Sequence, residues 1–116
     1  MKNPTLKIFA AYLVTLLLML ASGGAFSQIK AVHFNAGWNS SNGVEWFGKL
    51  GDCDKNQLLI EDGDNQKKYQ IAIVPTIVIF DDGEEVKRFQ ADLSFKMSAT
   101  RQEVQDYIDE IIMSKF

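Results

Sequence analysis

Ile73-Val74-Pro75-Thr76-Ile77-Val78-Ile79-Phe80, closed at once by Asp81-Asp82-Gly83-Glu84, is the stretch on which the reading of this chain turns. Ile77 to Phe80 is an unbroken apolar run rich in β-branched side chains, the pattern of a strand buried on both faces. Pro75 has no N–H, so it can open such a strand but not sit inside it. Asp82-Gly83 is hairpin chemistry, and Glu85 to Ala91 can return antiparallel with Val86 and Phe89 among its apolar residues.

Upstream, Gln28 to Asn35 carries Ile29, Val32 and Phe34 among polar neighbours and predicts a first strand. Ala36-Gly37-Trp38 leaves it, and Asn39-Ser40-Ser41-Asn42 offers four residues of the helix-capping type. A helix is expected from there to about Leu50, with Val44, Phe47 and Leu50 on one face. Gly48 and Gly51 keep it short. Gln57 to Ile60 reads as a brief strand, and Glu61 to Asn65 as a polar turn capping a short helix that ends near Tyr69. Downstream, Leu93, Phe95 and Met97 fall in a linking loop. Thr100-x-x-Glu103 is a capping box ahead of the last helix. Its Val104, Tyr107, Ile108, Ile111 and Ile112 fall at i, i+3, i+4, i+7 and i+8, a full apolar stripe. The order is strand, helix, strand, short helix, strand, strand, helix: one α/β domain.

The 116 residues leave room for a single domain, preceded by a different kind of segment. Met1 to Lys7 is basic, Ile8 to Ala21 is apolar apart from Tyr12 and Thr15, and Ser22 to Ser27 is small and turn-prone. That is the build of a secretory signal over residues 1–27, cut after Ser27 or after Ala25. An uncleaved anchor is the alternative, and the run is short for it, since a span needs about 20 residues. The domain is then 28–116, exported to a periplasm or secreted, with no stable membrane span after cleavage.

The whole chain carries 12 basic and 15 acidic residues, and removing Lys2 and Lys7 makes it more acidic. That balance disfavours nucleic acid, which needs clustered Lys and Arg. Cys53 is the single cysteine, so no internal disulfide can form. It is buried, free, or paired with another molecule, and its neighbours Asp52 and Asp54 make it a poor nucleophile. Asp52-x-Asp54-x-Asn56 opens like a calcium loop but has Gln57 and Gly63 where such a loop needs Gly and a bidentate Glu. No metal set and no cofactor motif is present in the sequence.

Two stretches together resemble the thioredoxin family, and the resemblance covers nearly all of residues 30–115. Val32-His33-Phe34-Asn35-Ala36-Gly37-Trp38 matches the family's strand and its Ala-x-Trp step, while Val74-Pro75-Thr76 and Asp82-Gly83-Glu84 match its cis-proline step and hairpin turn. The resemblance implies a mixed sheet of about four strands covered by helices on both faces, and a cis Val74–Pro75 bond. It also places Asn39 and Asn42 at the two positions of the family's Cys-x-x-Cys, with Ser40 and Ser41 between them. Thiol exchange needs one thiolate to attack a disulfide and a second thiol to resolve the intermediate, and Asn39 and Asn42 can do neither. Both are expected to cap the helix instead. His33 stands where the family keeps a buried acid, and is expected to be a hydrogen-bonded core residue.

By the same resemblance, Trp38, Val74, Pro75 and Thr76 form a groove for an extended peptide. The function expected is therefore a non-catalytic binding module for a peptide or an envelope protein. A thiol-disulfide exchange protein working through Cys53 or within a redox assembly is one alternative. A structural subunit is the other.

Overall fold

The computed structural model describes residues 28–116; the segment expected to be the export signal, 1–27, lies outside the described residues. Strand β1 (Ile29–Asn35) leads into two short 3-10 segments, Gly37–Asn42 and Glu45–Lys49. Strand β2 (Asp54–Leu59), a one-turn helix α1 (Asn65–Lys68), strands β3 (Thr76–Asp81) and β4 (Glu84–Gln90), and helix α2 (Arg101–Met113) follow. The sheet order is β2-β1-β3-β4. β1 and β2 are parallel, whereas β3 runs antiparallel to both β1 and β4.

The two inner strands are the apolar ones, because each is covered on both faces. Ile29 and Ala31 of β1, with Ile77 and Ile79 of β3, pack against Phe47, Leu50, Val104 and Ile108. Val32, Phe34 and Val78 face the other way, against Ile71 and Val74, with Tyr69 and Ile60 at the margin. Full burial of Val104 and Ile108 contributes about 1.5–3 kcal/mol each before entropy is subtracted. The capping box forms as expected: Glu103 N–H donates to Thr100 Oγ1 at 3.1 Å, and Thr100 N–H donates to Glu103 Oε1 at 3.2 Å. The β3–β4 turn places Asp82 and Gly83 at φ +54° and +83°, the pair of positive values that a two-residue hairpin turn requires.

Two expectations are corrected. The helix expected from Asn39–Asn42 to Leu50 is instead two 3-10 segments, broken where Gly43 is extended at φ −60°, ψ 157°. Its backbone bonds close over three residues: Gly43 N–H to the Ser40 carbonyl, Phe47 N–H to Val44, Leu50 N–H to Phe47. Short polar side chains compete with the helical ladder, and Gly43 and Gly48 weaken it further. Strand β2 starts at Asp54 rather than Gln57, because pairing with β1 from Lys30 onward extends it through polar residues. β2 is an edge strand, and two of its backbone groups are served locally. Gln57 N–H donates to Asn56 Oδ1 at 2.9 Å, and the Leu59 carbonyl accepts from Asn65 Nδ2 at 2.9 Å and from Asp62 N–H at 3.2 Å.

Candidate functional site

The residues singled out by the sequence meet at the C-terminal end of β1. The chain leaves the sheet there through Ala36 and turns at once into the first 3-10 segment, which drives Asn39 inward until it is only 3% exposed. Its side-chain amide donates to Asn35 Oδ1 at 3.1 Å and to the Phe95 carbonyl at 3.2 Å. These bonds use its two protons, and the Val74 carbonyl lies at the outer limit of a third contact, 3.5 Å away. In return, Asn39 Oδ1 accepts from Asn42 Nδ2 at 2.9 Å, and the Asn39 carbonyl accepts from Asn35 Nδ2 at 3.1 Å. Backbone carbonyls only accept, so Nδ2 must be the atom facing Phe95 and Val74.

Asn39 is therefore a buried tie between β1, the Val74 turn and the Phe95 loop, not the helix cap expected. The flanking residue of the 3-10 segment is Ala36, and no side chain caps it. A segment this short does not present a row of helical N–H groups, so the amide finds its partners across the fold. Ser40 and Ser41 are exposed and Asn42 is half-buried.

Trp38 is 68% exposed and meets the Phe95 ring edge-on, at 5.1 Å between centroids. Val74, Pro75 and Thr76 lie beneath this surface and are buried, with Thr76 Oγ1 donating to the Ile73 carbonyl at 2.6 Å. The Val74–Pro75 bond is cis. The accessible apolar surface is accordingly Trp38 and Phe95, and Leu93, in the same loop as Phe95, is exposed. Sequence reading placed Leu93 and Phe95 in a loop and gave them no role; only their apolar character in a loop marks them. It likewise missed Asn35, whose signal is a polar residue at the end of an otherwise apolar strand.

His33 is 4% exposed and packs its ring against Phe47 at 5.3 Å. Its Nδ1 lies 3.2 Å from Gln57 Oε1, and the ring donates there in the tautomer protonated on Nδ1. Nε2 has no hydrogen-bond partner among the described residues. Burial lowers the His33 pKa, and the Gln57 hydrogen bond only partly opposes it. The expected hydrogen-bonded core histidine is thus bonded at one nitrogen only.

Cys53 is half-buried and stands just before β2, at the end opposite the Asn39 network. Since β2 runs parallel to β1, the separation is roughly 20 Å by strand rise. Burial pushes the thiol pKa up, Lys55 opposes this, and Asp54 and Asp52 add to it. Among the described residues no group of three or more His, Cys, Asp or Glu is placed to hold a metal ion. No helix among them is long and apolar enough to cross a membrane.

No protein-family model matches the chain, and no curated protein matches it either. Solved structures do. A mutant thioredoxin from Halobacterium salinarum NRC-1 superposes with a TM-score of 0.57 at 19% identity, over 75% of this chain and 77% of that one. Reduced Schistosoma mansoni thioredoxin pre-protein gives 0.57 at 19% identity, over 80% and 88%. Fasciola hepatica thioredoxin gives 0.53 at 22% identity, over 87% and 92%. At such identities the likeness is one of fold. Element order, mixed sheet and these neighbours agree: the chain has a thioredoxin-like fold, with one cysteine and no Cys-x-x-Cys pair.

Proposed function

We propose that this is an exported, non-catalytic thioredoxin-fold module that captures an extended peptide or a segment of an envelope protein. Asn39 carries this reading. By the thioredoxin resemblance an amide with neither nucleophile nor redox couple stands at the family's first thiol position, and its hydrogen bonds tie the surrounding loops together. Beside it Trp38, Phe95 and Leu93 offer apolar area at the mouth of the Val74–Thr76 turn. Aromatic faces of this kind give contact area at little entropy cost. A strand-like ligand would lie over Trp38 and along the edge of that turn, with its side chains against Phe95 and Leu93.

Cys53 gives the thiol-exchange alternative little support, being remote from Trp38 and raised in pKa. The experiment is proximity cross-linking in the native envelope, repeated with Trp38→Ala. Loss of the captured partner with retained folding supports the module. Capture as tight as wild type removes the Trp38 surface from consideration and favours a structural subunit. Insulin reduction above the level of a Cys53→Ala control would instead restore the redox reading.

A further inference from the structure

Asn39-Ser40-Ser41 is also the acceptor signal for asparagine-linked glycosylation: Asn, any residue but Pro, then Ser or Thr. It is the only complete one in the chain. Asn3-Pro4-Thr5 is blocked by its proline, and Asn35, Asn42, Asn56 and Asn65 have no Ser or Thr two residues on. Such a signal belongs on a surface loop, where the bulky sugar stays in water. Here Ser40 and Ser41 are exposed, yet the acceptor itself is 3% exposed.

The chemistry sharpens this conflict. Glycosyl transfer from a lipid-linked oligosaccharide pyrophosphate forms a bond between the sugar's anomeric carbon and Asn39 Nδ2. The bond from that carbon to the pyrophosphate breaks, the pyrophosphate leaves on its lipid, and Nδ2 gives up one proton. The nitrogen then keeps a single proton. In the fold it donates two, to Asn35 Oδ1 at 3.1 Å and to the Phe95 carbonyl at 3.2 Å. The Val74 carbonyl lies 3.5 Å from the same nitrogen, so the sugar has to displace at least one of these three groups. Asn39 is also wound into the first 3-10 segment, its N–H donating to the Ala36 carbonyl at 2.9 Å. The folded chain thus buries the atom that a transferase must reach.

We infer that Asn39 accepts a glycan only before the chain folds, and that the glycan and this fold then exclude each other. An exported copy therefore matures only along a route free of asparagine glycosylation, such as a bacterial periplasm, and not through an endoplasmic reticulum. That consequence rests on the export reading; the exclusion itself does not.

The test translates the full chain behind a supplied export signal in the presence of endoplasmic-reticulum microsomes, as wild type, Ser41→Ala and Ser41→Thr. A flexible tail after Phe116 carries a second acceptor, and chains glycosylated there have reached the lumen and are scored. Ser41 is exposed and Asn39 is untouched, so the variants change the acceptor signal and leave the network standing. Made in a bacterial cytosol, all three should share one urea midpoint. In the lumen, wild type should gain a glycan on Asn39, Ser41→Thr a larger share of it, and Ser41→Ala none. Chains with the Asn39 glycan should be cut by trypsin about tenfold faster than chains with the tail glycan alone. Equal resistance of the two forms would overturn the exclusion. Lumenal wild-type chains bearing only the tail glycan would overturn Asn39 as an acceptor. An N-terminus at Met1 in protein from the native host would sink the export reading and leave the exclusion standing.

Discussion

Asn39 and Phe95, 56 positions apart in the chain, are joined by a hydrogen bond of 3.2 Å from the Asn39 side-chain amide to the Phe95 carbonyl. The same amide holds Asn35 at the end of β1, so one buried side chain fastens the 3-10 segment to the loop after β4. Asn39→Ala leaves Asn35 Oδ1 and the Phe95 carbonyl without this donor in a buried setting. It should cost about 1–3 kcal/mol in urea unfolding. Asn39→Asp should cost more, because a carboxylate cannot donate to the Asn35 or Phe95 oxygens that surround it. An Asp variant as stable as wild type would remove the network from the account.

His33 gives a pH dependence whose sign is set by its environment. Burial lowers its pKa below the ordinary 6.5, so between the two values the unfolded chain binds a proton that the folded chain does not. Stability from this group is fully present above about pH 6.5, falls as the pH drops through the lowered value, and then levels off. His33→Phe keeps an aromatic ring against Phe47 and has nothing to titrate. Its urea midpoint should lose the part of the slope just below pH 6.5 that wild type shows, while the acid-range dependence from carboxylates remains.

Asn42 Nδ2 lies 2.9 Å from Asn39 Oδ1, so the two side chains that the resemblance aligns with a dithiol point at each other. Asn39→Cys combined with Asn42→Cys should therefore close a disulfide on oxidation. Thiol titration under denaturing conditions should then find one free thiol, that of Cys53, and three after reduction. Three thiols before reduction would mean that the two positions do not correspond to a dithiol.

Thr100 tests the docking of α2. Its hydroxyl accepts from Glu103 N–H, and Glu103 reaches back to Thr100 N–H. Thr100→Ala should lower stability by about 0.5–2 kcal/mol, with amide exchange rising first in the opening turn of α2. Unchanged exchange there would show that burial of Val104 and Ile108 alone holds that turn.

The buried elements are the ones that could be read from the sequence. Ile77 to Phe80 and the α2 stripe are apolar because tertiary packing covers them, so pattern and structure report the same fact. β2 carries no such signal: its place comes from pairing with β1, and ladder bonds leave no mark on side-chain choice. The 3-10 segments were hidden for a related reason. Asn39 to Asn42 are capping types, and the same hydrogen-bonding capacity serves equally in a buried cross-link, which only the fold reveals. Thus the sequence singled out Trp38, Asn39 and the Val74 turn, and it held no signal that Asn35 and Phe95 would be bonded to Asn39.

The edge of β2 has a consequence for the protein in a crowded solution. An open strand edge is a template on which a neighbouring chain can add itself, the first step towards fibrillar assembly. Here Asn56 occupies the Gln57 N–H, while Asn65 and Asp62 occupy the Leu59 carbonyl. An incoming strand would have to break these bonds before making its own, so the edge is guarded from within. Asn56 and Asn65 thereby occupy two backbone groups of this edge that an added strand would need.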